Sequence, residues 1–381
     1  MVTPWSSHPL KAIFTILFLL KTPIHALILF LRYVRKPSHP EWNAKLSLSS
    51  ALLGMVFQYC TITRTRRLFD DDPAKANDRL AKIDPPPESF FLGTLAPTAT
   101  VKLAPVRGVW LPSPIASNKI DLGKEKVIIH FPGGAFVMTF GHQSAGRPAS
   151  ELFAKHLGTS KLLWAQYRLA ADEASCFPAA VQDAVTYYHY VISLGVNPKN
   201  IILSGDSAGG NIVLALMRYL EEQLSLKSTS GGPSTHEPLP LPGGAMVFSP
   251  WVHVTSKAGE DYMKCNNTEP DILTAPLLQW DADSYLPRNV EAIATDAYVS
   301  PLHHPFKTST PLYLHAGATE AFFRDIATFA EEMEQTNGNR VRFCATAKAP
   351  HDLLLCHSSF SMTDELRGVL DGAHNFFEGR D

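Results

Sequence analysis

The sequence predicts an α/β fold, a mostly parallel central sheet flanked by helices, with a helical cap at its N-terminal end. Two observations carry this. From about residue 98 onward, short apolar runs of strand type alternate with stretches of helical periodicity. The runs are apolar almost throughout, not at every second residue, which marks strands buried on both faces of a parallel sheet.

The strand-type runs, in order, are 127–131 (VIIHF), 162–165 (LLWA), 201–204 (IILS), 245–248 (AMVF), 312–314 (LYL) and 341–343 (VRF). Helical stretches at 178–193, 209–223, 324–335 and 362–377 lie between or after them. Residues 70–87 are charged, end in three prolines and are expected to form a loop. Residues 227–242 are rich in Ser, Gly and Pro and are expected to form a mobile surface loop.

The first hundred residues differ. Residues 12–31 (AIFTILFLLKTPIHALILFL) approach the roughly 20 residues that cross a bilayer as a helix. Lys21, Pro23 and His25 interrupt them, and a Lys at mid-span costs about 3 kcal/mol. The leading expectation is a membrane anchor, spanning or lying in the interface. A cleaved signal peptide and a soluble cap helix are the alternatives; Arg32, Arg35 and Lys36 follow the run where a cleavage site would stand. Residues 46–60 have the spacing of an amphipathic helix. The expected organisation is an anchor segment over 1–40, a cap region over 41–97 and a catalytic domain over 98–381.

The chain has 381 residues, 45% apolar and 18% charged, enough to bury a full core. A net charge of −2 without a basic stripe excludes a nucleic-acid partner. Cys60, Cys176, Cys265, Cys344 and Cys356 are odd in number and scattered, which argues against a disulfide framework and a metal site. A single glycosylation sequon stands at Asn266-Asn267-Thr268.

Gly205-Asp206-Ser207-Ala208-Gly209 fits G-x-S-x-G. It follows the strand 201–204 and opens the helix 209–223, the sharp strand-to-helix turn that lifts a nucleophilic serine out of a sheet. Backbone N–H groups at that helix start, including Ala208, face a developing oxyanion. Pro132-Gly133-Gly134-Ala135-Phe136 follows the strand 127–131. Adjacent glycines let the backbone approach a substrate oxygen, so the N–H groups of Gly133 and Gly134 are expected to join Ala208 in an oxyanion hole.

Further segments stand in order along the chain: Tyr167-Arg168-Leu169-Ala170, Phe177-Pro178-Ala179-Ala180 with Asp183, Ser249-Pro250-Trp251 and Val299-Ser300-Pro301-Leu302. With the two glycine motifs they resemble the hormone-sensitive-lipase-like branch of the α/β hydrolases, in particular its fungal carboxylesterase and steryl-acetyl-hydrolase relatives. The resemblance runs over residues 127–353 and implies an α/β-hydrolase fold with a Ser–acid–His triad. Two positions depart from the H-G-G-G of that family: Pro132 stands at its His and Ala135 at its third Gly.

The triad order in this fold is Ser, acid, His. Glu320, in Gly317-Ala318-Thr319-Glu320, occupies the family's G-x-x-D acid position; Asp325 is the alternative, and Asp352 a remote one. His351, in a loop after the strand 341–345, occupies the base position of an H-x-F or H-x-L pattern. His303 and His304 precede the acid region, His315 lies inside a strand, and His357 and His374 fall in the last helical region. Asp206 is expected to play a structural part at the turn. Helix 46–60 is expected to cap the site, and Phe136, Phe140, Trp251, Phe322 and Phe323 to furnish an apolar pocket or pack in the core.

The resemblance therefore implies a serine esterase, and the apolar run 12–31 adds an expected membrane association, with the endoplasmic reticulum as candidate location. It would need no cofactor or metal and would act on a small lipophilic ester through an acyl-enzyme. Amide or lactone cleavage or a condensation at the same site, as in secondary metabolism, is the second expectation, because fold does not fix reaction. A ligand-binding module without chemistry is the third.

Overall fold

The computed structural model describes residues 3–68, 73–115, 124–230, 237–287 and 297–380. Two long helices come first, α1 (Leu10–Arg35) and α2 (Ala44–Thr63). Asn43 starts α2 by accepting a hydrogen bond from the Leu46 N–H at 2.8 Å, and Arg64 ends it in the left-handed region at φ 51°. Both are long and apolar enough to cross a membrane by length and composition.

The remainder is built on one eight-stranded sheet. Its strands are β1 (Leu80–Ile83), β2 (Val106–Leu111), β3 (Val127–Phe131), β4 (Lys161–Gln166), β5 (Ile201–Asp206), β6 (Gly244–Phe248), β7 (Leu312–Gly317) and β8 (Val341–Thr346). Their spatial order is β8-β7-β6-β5-β3-β4-β2-β1. All pairs from β8 to β4 are parallel, and β2 and then β1 continue the sheet antiparallel. Helices α3 (Arg147–Leu157), α4 (Ala179–Ser193), α5 (Ala208–Ser230), α6 (Ala275–Tyr285), α7 (Phe323–Gln335), α8 (Leu353–Phe360) and α9 (Thr363–Phe377) complete the described long elements. Every residue of β3, β5, β6 and β7 is buried, as their unbroken apolar runs require. β8, at the edge, is only partly covered.

Two expectations change, and one strand was not foreseen. The stretch 70–87 is not all loop, because Leu80–Ile83 pairs with β2 through Ile83↔Val106; positions 70–72 lie outside the described residues. β2 itself carries Arg107 and Gly108, which hid its strand character. Helix α5 continues to Ser230, into the segment expected as loop, of which 231–236 lie outside the described residues.

Strand order places the site. β3 and β5 are neighbours in register, Phe131 opposite Gly205, so the loops that follow them emerge side by side. β7 and β8 pair with Gly317 opposite Thr346, so Glu320 and His351 leave from adjacent strands at the same sheet end. The carboxyl ends of parallel strands where the winding reverses are where such sheets hold their ligands.

One buried ion pair braces the far side of this region. The Arg168 guanidinium donates to both carboxylate oxygens of Asp183 at 2.8–3.1 Å, and also to the carbonyls of Lys102 and Ala179. Burial raises the pKa of the Asp183 carboxyl, against the Arg168 charge and hydrogen bonds that lower it. Arg168→Met would leave that carboxylate buried without a counter-charge, its one remaining bond among those described being from the backbone N–H of residue 168 at 2.8 Å, a loss of about 3–5 kcal/mol. The expected result is a large drop in melting temperature; a shift within error of the parent would show that Asp183 does not depend on Arg168.

Candidate active site

Ser207 stands between β5 and α5 with φ 51°, the strained backbone of a strand-to-helix elbow. The elbow is held by its own chain and by β6: the Ser207 N–H donates to the Phe248 carbonyl at 2.9 Å, and the Ser207 carbonyl accepts from the Trp251 N–H at 3.0 Å. The flanking glycines are there for space. A Cβ on Gly205 would sit 2.4 Å from the Gly209 carbonyl oxygen, and one on Gly209 would sit 1.9 Å from that of Phe131. No side chain fits either position while the turn stays this tight.

The structure brings Ser207, His351 and Glu320 together. Ser207 Oγ lies 2.9 Å from His351 Nε2, and His351 Nδ1 lies 2.8 Å from Glu320 Oε2. All three are buried. The second Glu320 oxygen accepts from the Gly317 N–H at 3.2 Å, and the Ser249 hydroxyl also bonds this carboxylate. Burial pushes Glu320 up to about 6. Burial works against the imidazolium as well, but the hydrogen bond and charge of Glu320 outweigh it and hold His351 up, at about 9. An imidazole so paired accepts the serine proton readily and has its tautomer fixed by the carboxylate.

The other candidates lie elsewhere. Asp325, in the first turn of α7, is 3.4 Å from His253. His303 bonds Glu332, His315 is a buried strand residue bonded to Thr346, and His357 bonds Thr363. His304 is exposed, and His374 lies in α9.

Gly133 needs a correction. Its N–H donates to Asp206 Oδ2 at 2.8 Å and is not free for an oxyanion. A Cβ there would meet that same oxygen at 2.3 Å. Gly134, at φ 124°, and Ala135, at φ 54°, turn the chain so that both line a narrow cavity with Ser207. Ala135, at the position of the family's third glycine, takes up this left-handed conformation with a methyl side chain.

Asp206 is the buried junction behind this arrangement. Besides Gly133 it accepts from His130 Nε2 at 2.9 Å, while His130 Nδ1 faces the Ser204 hydroxyl at 3.0 Å. Burial pushes the His130 imidazole down to about 3, so it is neutral and donates through Nε2. His130 thus supplies an imidazole two residues before Pro132, where the resemblance placed one. Asp206 is also hydrogen-bonded to Asp352, the residue after the base. Burial and the Asp206 charge raise Asp352 well above the carboxylate range, so Asp352 carries the proton and donates it to Asp206. One carboxylate therefore ties the elbow, the glycine loop and the base loop. A second, Asp271, accepts from the N–H groups of Ala321 and Ile272, each at 2.7 Å, and fixes the turn carrying Glu320. Asp352, weighed from the sequence only as a remote alternative acid, bonds Asp206 instead, and Asp271 was not legible as part of the site, since their partners are distant in sequence.

The folded Asp352 binds a proton that the unfolded chain releases near pH 4. The stability this gives is complete below that pH and is lost as pH rises through the raised folded value. Asn at this position keeps a donor and cannot ionise. Melting temperature plotted against pH is expected to fall less steeply on the alkaline side for Asp352→Asn than for the parent; parallel curves would remove the proton from Asp352.

The cavity over Ser207 is about 20 Å³, room for about one water. Its apolar wall includes Phe57 of α2, Met138, Phe140, Ile272 and Leu277. Of the expected aromatics, Phe140 lines it, and Phe322 meets the His351 ring edge-on at 5.4 Å. Phe136 stacks on Tyr285, Trp251 on Phe322, and Phe323 packs near Phe343.

Residues 128–355, more than half of the chain, match the family profile described as alpha/beta hydrolase fold. The chain belongs to the α/β-hydrolase family. An esterase of Acinetobacter venetianus is 26% identical over 237 residues, 62% of this chain and 68% of that protein. An acetyl-hydrolase of Streptomyces hygroscopicus is 27% identical over 222 residues, 57% of this chain and 64% of that protein. The α/β hydrolase thus spans about two thirds of these relatives' length. A solved esterase of the bacterial hormone-sensitive lipase family shares the fold, with a TM-score of 0.57 and 21% identity over 89% of this chain and 99% of that one.

Proposed function

We propose that this α/β hydrolase is a carboxylic ester hydrolase that cleaves short-chain acyl esters of lipophilic alcohols through an acyl-enzyme. Ester hydrolysis is the activity that its relatives carry in their names. The observation that carries the mechanism is the continuous Ser207–His351–Glu320 relay, with contacts of 2.9 and 2.8 Å, at an apolar cavity. Ser207 Oγ attacks the ester carbonyl as His351 Nε2 takes its proton. The N–H groups of Gly134, Ala135 and Ala208 receive the oxyanion. His351 then gives the proton to the leaving alkoxide, and water, activated by the same imidazole, releases the acid. Glu320 stays ionised and stabilises the imidazolium.

The small cavity supports a short acyl group, which leaves the bulk of a lipophilic substrate to the alcohol side. In a p-nitrophenyl ester series, the full chain is expected to prefer acetate to butyrate over longer acyl groups. Phe57→Ala removes an aromatic wall and is expected to move the optimum to longer chains. An optimum at eight carbons or more in the parent would overturn the short-acyl assignment, and an unmoved optimum in Phe57→Ala would remove Phe57 from the acyl wall.

A further inference from the structure

Helix α1 is more apolar on its outside than on its inside. The face turned to the protein runs through Lys11, Thr15, Phe18, Thr22, Ala26, Leu29 and Tyr33, spaced by threes and fours. Two of these are threonines and one an alanine. The opposite face carries twelve large apolar side chains, Leu19, Leu20, Ile24 and Leu27 among them, each 39–67% exposed. The rest of the described chain exposes only Trp5, Leu92, Leu226 and Met263 in this way. A typical monomer's largest apolar patch is roughly 300–600 Å²; twelve half-exposed Leu, Ile, Val and Phe side chains along about 39 Å of helix exceed it.

Charge indicates what covers that face. Lys11, Lys21, Arg32, Arg35 and Lys36 precede the first carboxylate of the chain, Glu41, although the whole chain is net negative. An apolar strip on a helix whose own charged residues are all cations, Arg32 alone of them paired with an exposed carboxylate, Glu269, is complementary to acyl chains under anionic headgroups.

Geometry then separates lying from spanning. α1 is fastened to the domain along its length. The Thr3 hydroxyl donates to the Ile62 carbonyl at 2.5 Å, Thr15 bonds the Tyr59 hydroxyl at 2.7 Å, and Arg32 reaches Glu269 at 3.1 Å. Phe18 packs on Tyr59 at 4.8 Å, and Tyr33 is buried. The partner helix α2 is itself bound to the catalytic domain: Ser50 donates to the Pro270 carbonyl, Cys60 is fully buried and Phe57 lines the cavity over Ser207. A spanning α1 would drag this helix and the domain behind it into hydrocarbon. It would also set Lys21 and His25, exposed at the middle of the helix, at the bilayer centre. Lying flat, both reach the headgroups.

We propose that α1 is a monotopic membrane seat, lying within one leaflet with both of its ends on the same side and the catalytic domain on its inner face. It deepens the lipophilic-ester reading, and rests on that reading for its purpose: the α2 wall of the acyl cavity is held next to the lipid in which such an ester dissolves.

The test is sidedness in sealed microsomes from cells expressing the full chain. Ser7→Cys and Lys36→Cys flank α1 and are both exposed in the parent. Each is probed with a membrane-impermeant maleimide before and after detergent, with the parent as control for its five own cysteines. The expected result is equal behaviour: both react before detergent, or both only after it. Reaction at one site before detergent and at the other only after it would establish a spanning helix and overturn the seat. Leu20→Glu with Leu27→Glu is expected to lower the membrane-bound fraction at least tenfold, while hydrolysis of p-nitrophenyl acetate in detergent stays at the parent level. Unchanged membrane retention in the double variant would also overturn the seat. Absence of ester turnover in the parent would sink the esterase reading and leave the sidedness result standing.

Discussion

Replacing Ser207 by alanine is expected to lower kcat for a p-nitrophenyl ester by about a millionfold and to abolish labelling by a fluorophosphonate. The residual rate comes from the oxyanion donors and from binding, which the substitution leaves in place. The fold should survive, since the elbow is held by backbone bonds to Phe248 and Trp251 and not by the hydroxyl. Labelling that persists in Ser207→Ala, or turnover within tenfold of the parent, would transfer the nucleophile to another residue.

The second large effect belongs to Glu320. Glu320→Gln keeps the size of the side chain but removes the charge, and a carboxamide can hold the imidazole in the wrong tautomer. A loss of about 10⁴ in kcat is expected. The pH profile carries a sharper signature. His351 must be neutral to accept a proton, so kcat/KM falls as pH drops through the value of the coupled pair. Glu320 holds that value above the ordinary imidazole range, against burial. The acid limb of the parent should therefore lie above pH 6.5, and in Glu320→Gln it should move downward, because burial is then opposed only by the weaker pull of Asp271 and Asp352. A limb that stays in place would mean that a group other than His351 is titrating.

Much of the fold was legible because a buried parallel sheet leaves a local signature. Each of the six expected strands is present, lengthened by a residue or more in every case except 127–131. The two antiparallel strands were not legible for the same reason. β1 and β2 are antiparallel, carry Lys82, Arg107 and Gly108, and lack the unbroken apolar run. At the site, sequence supplied order and local context: a serine after one strand, a carboxylate after another, a histidine after the last. It could not supply the pairing of Asp206 with Gly133, 73 residues upstream, or with Asp352 beside the base. Those contacts arise from strand order, and they decide which N–H groups remain available. Hence Gly133, the most conspicuous donor by motif, is occupied, and Ala135, which breaks the motif, lines the cavity.

Phe57 gives the fold a further property. One wall of the cavity over Ser207 comes from α2, a 20-residue helix that ends before the first strand of the sheet. The relay and its supporting bonds come from the loops of the sheet. Part of the wall over Ser207 is thus written in a stretch of the polypeptide separate from the relay. A graft that exchanges Ala44–Thr63 for the same helix of another hydrolase should carry acyl preference with it and leave the chemical step untouched. Such a chain can diversify its substrates by drift in one short cassette.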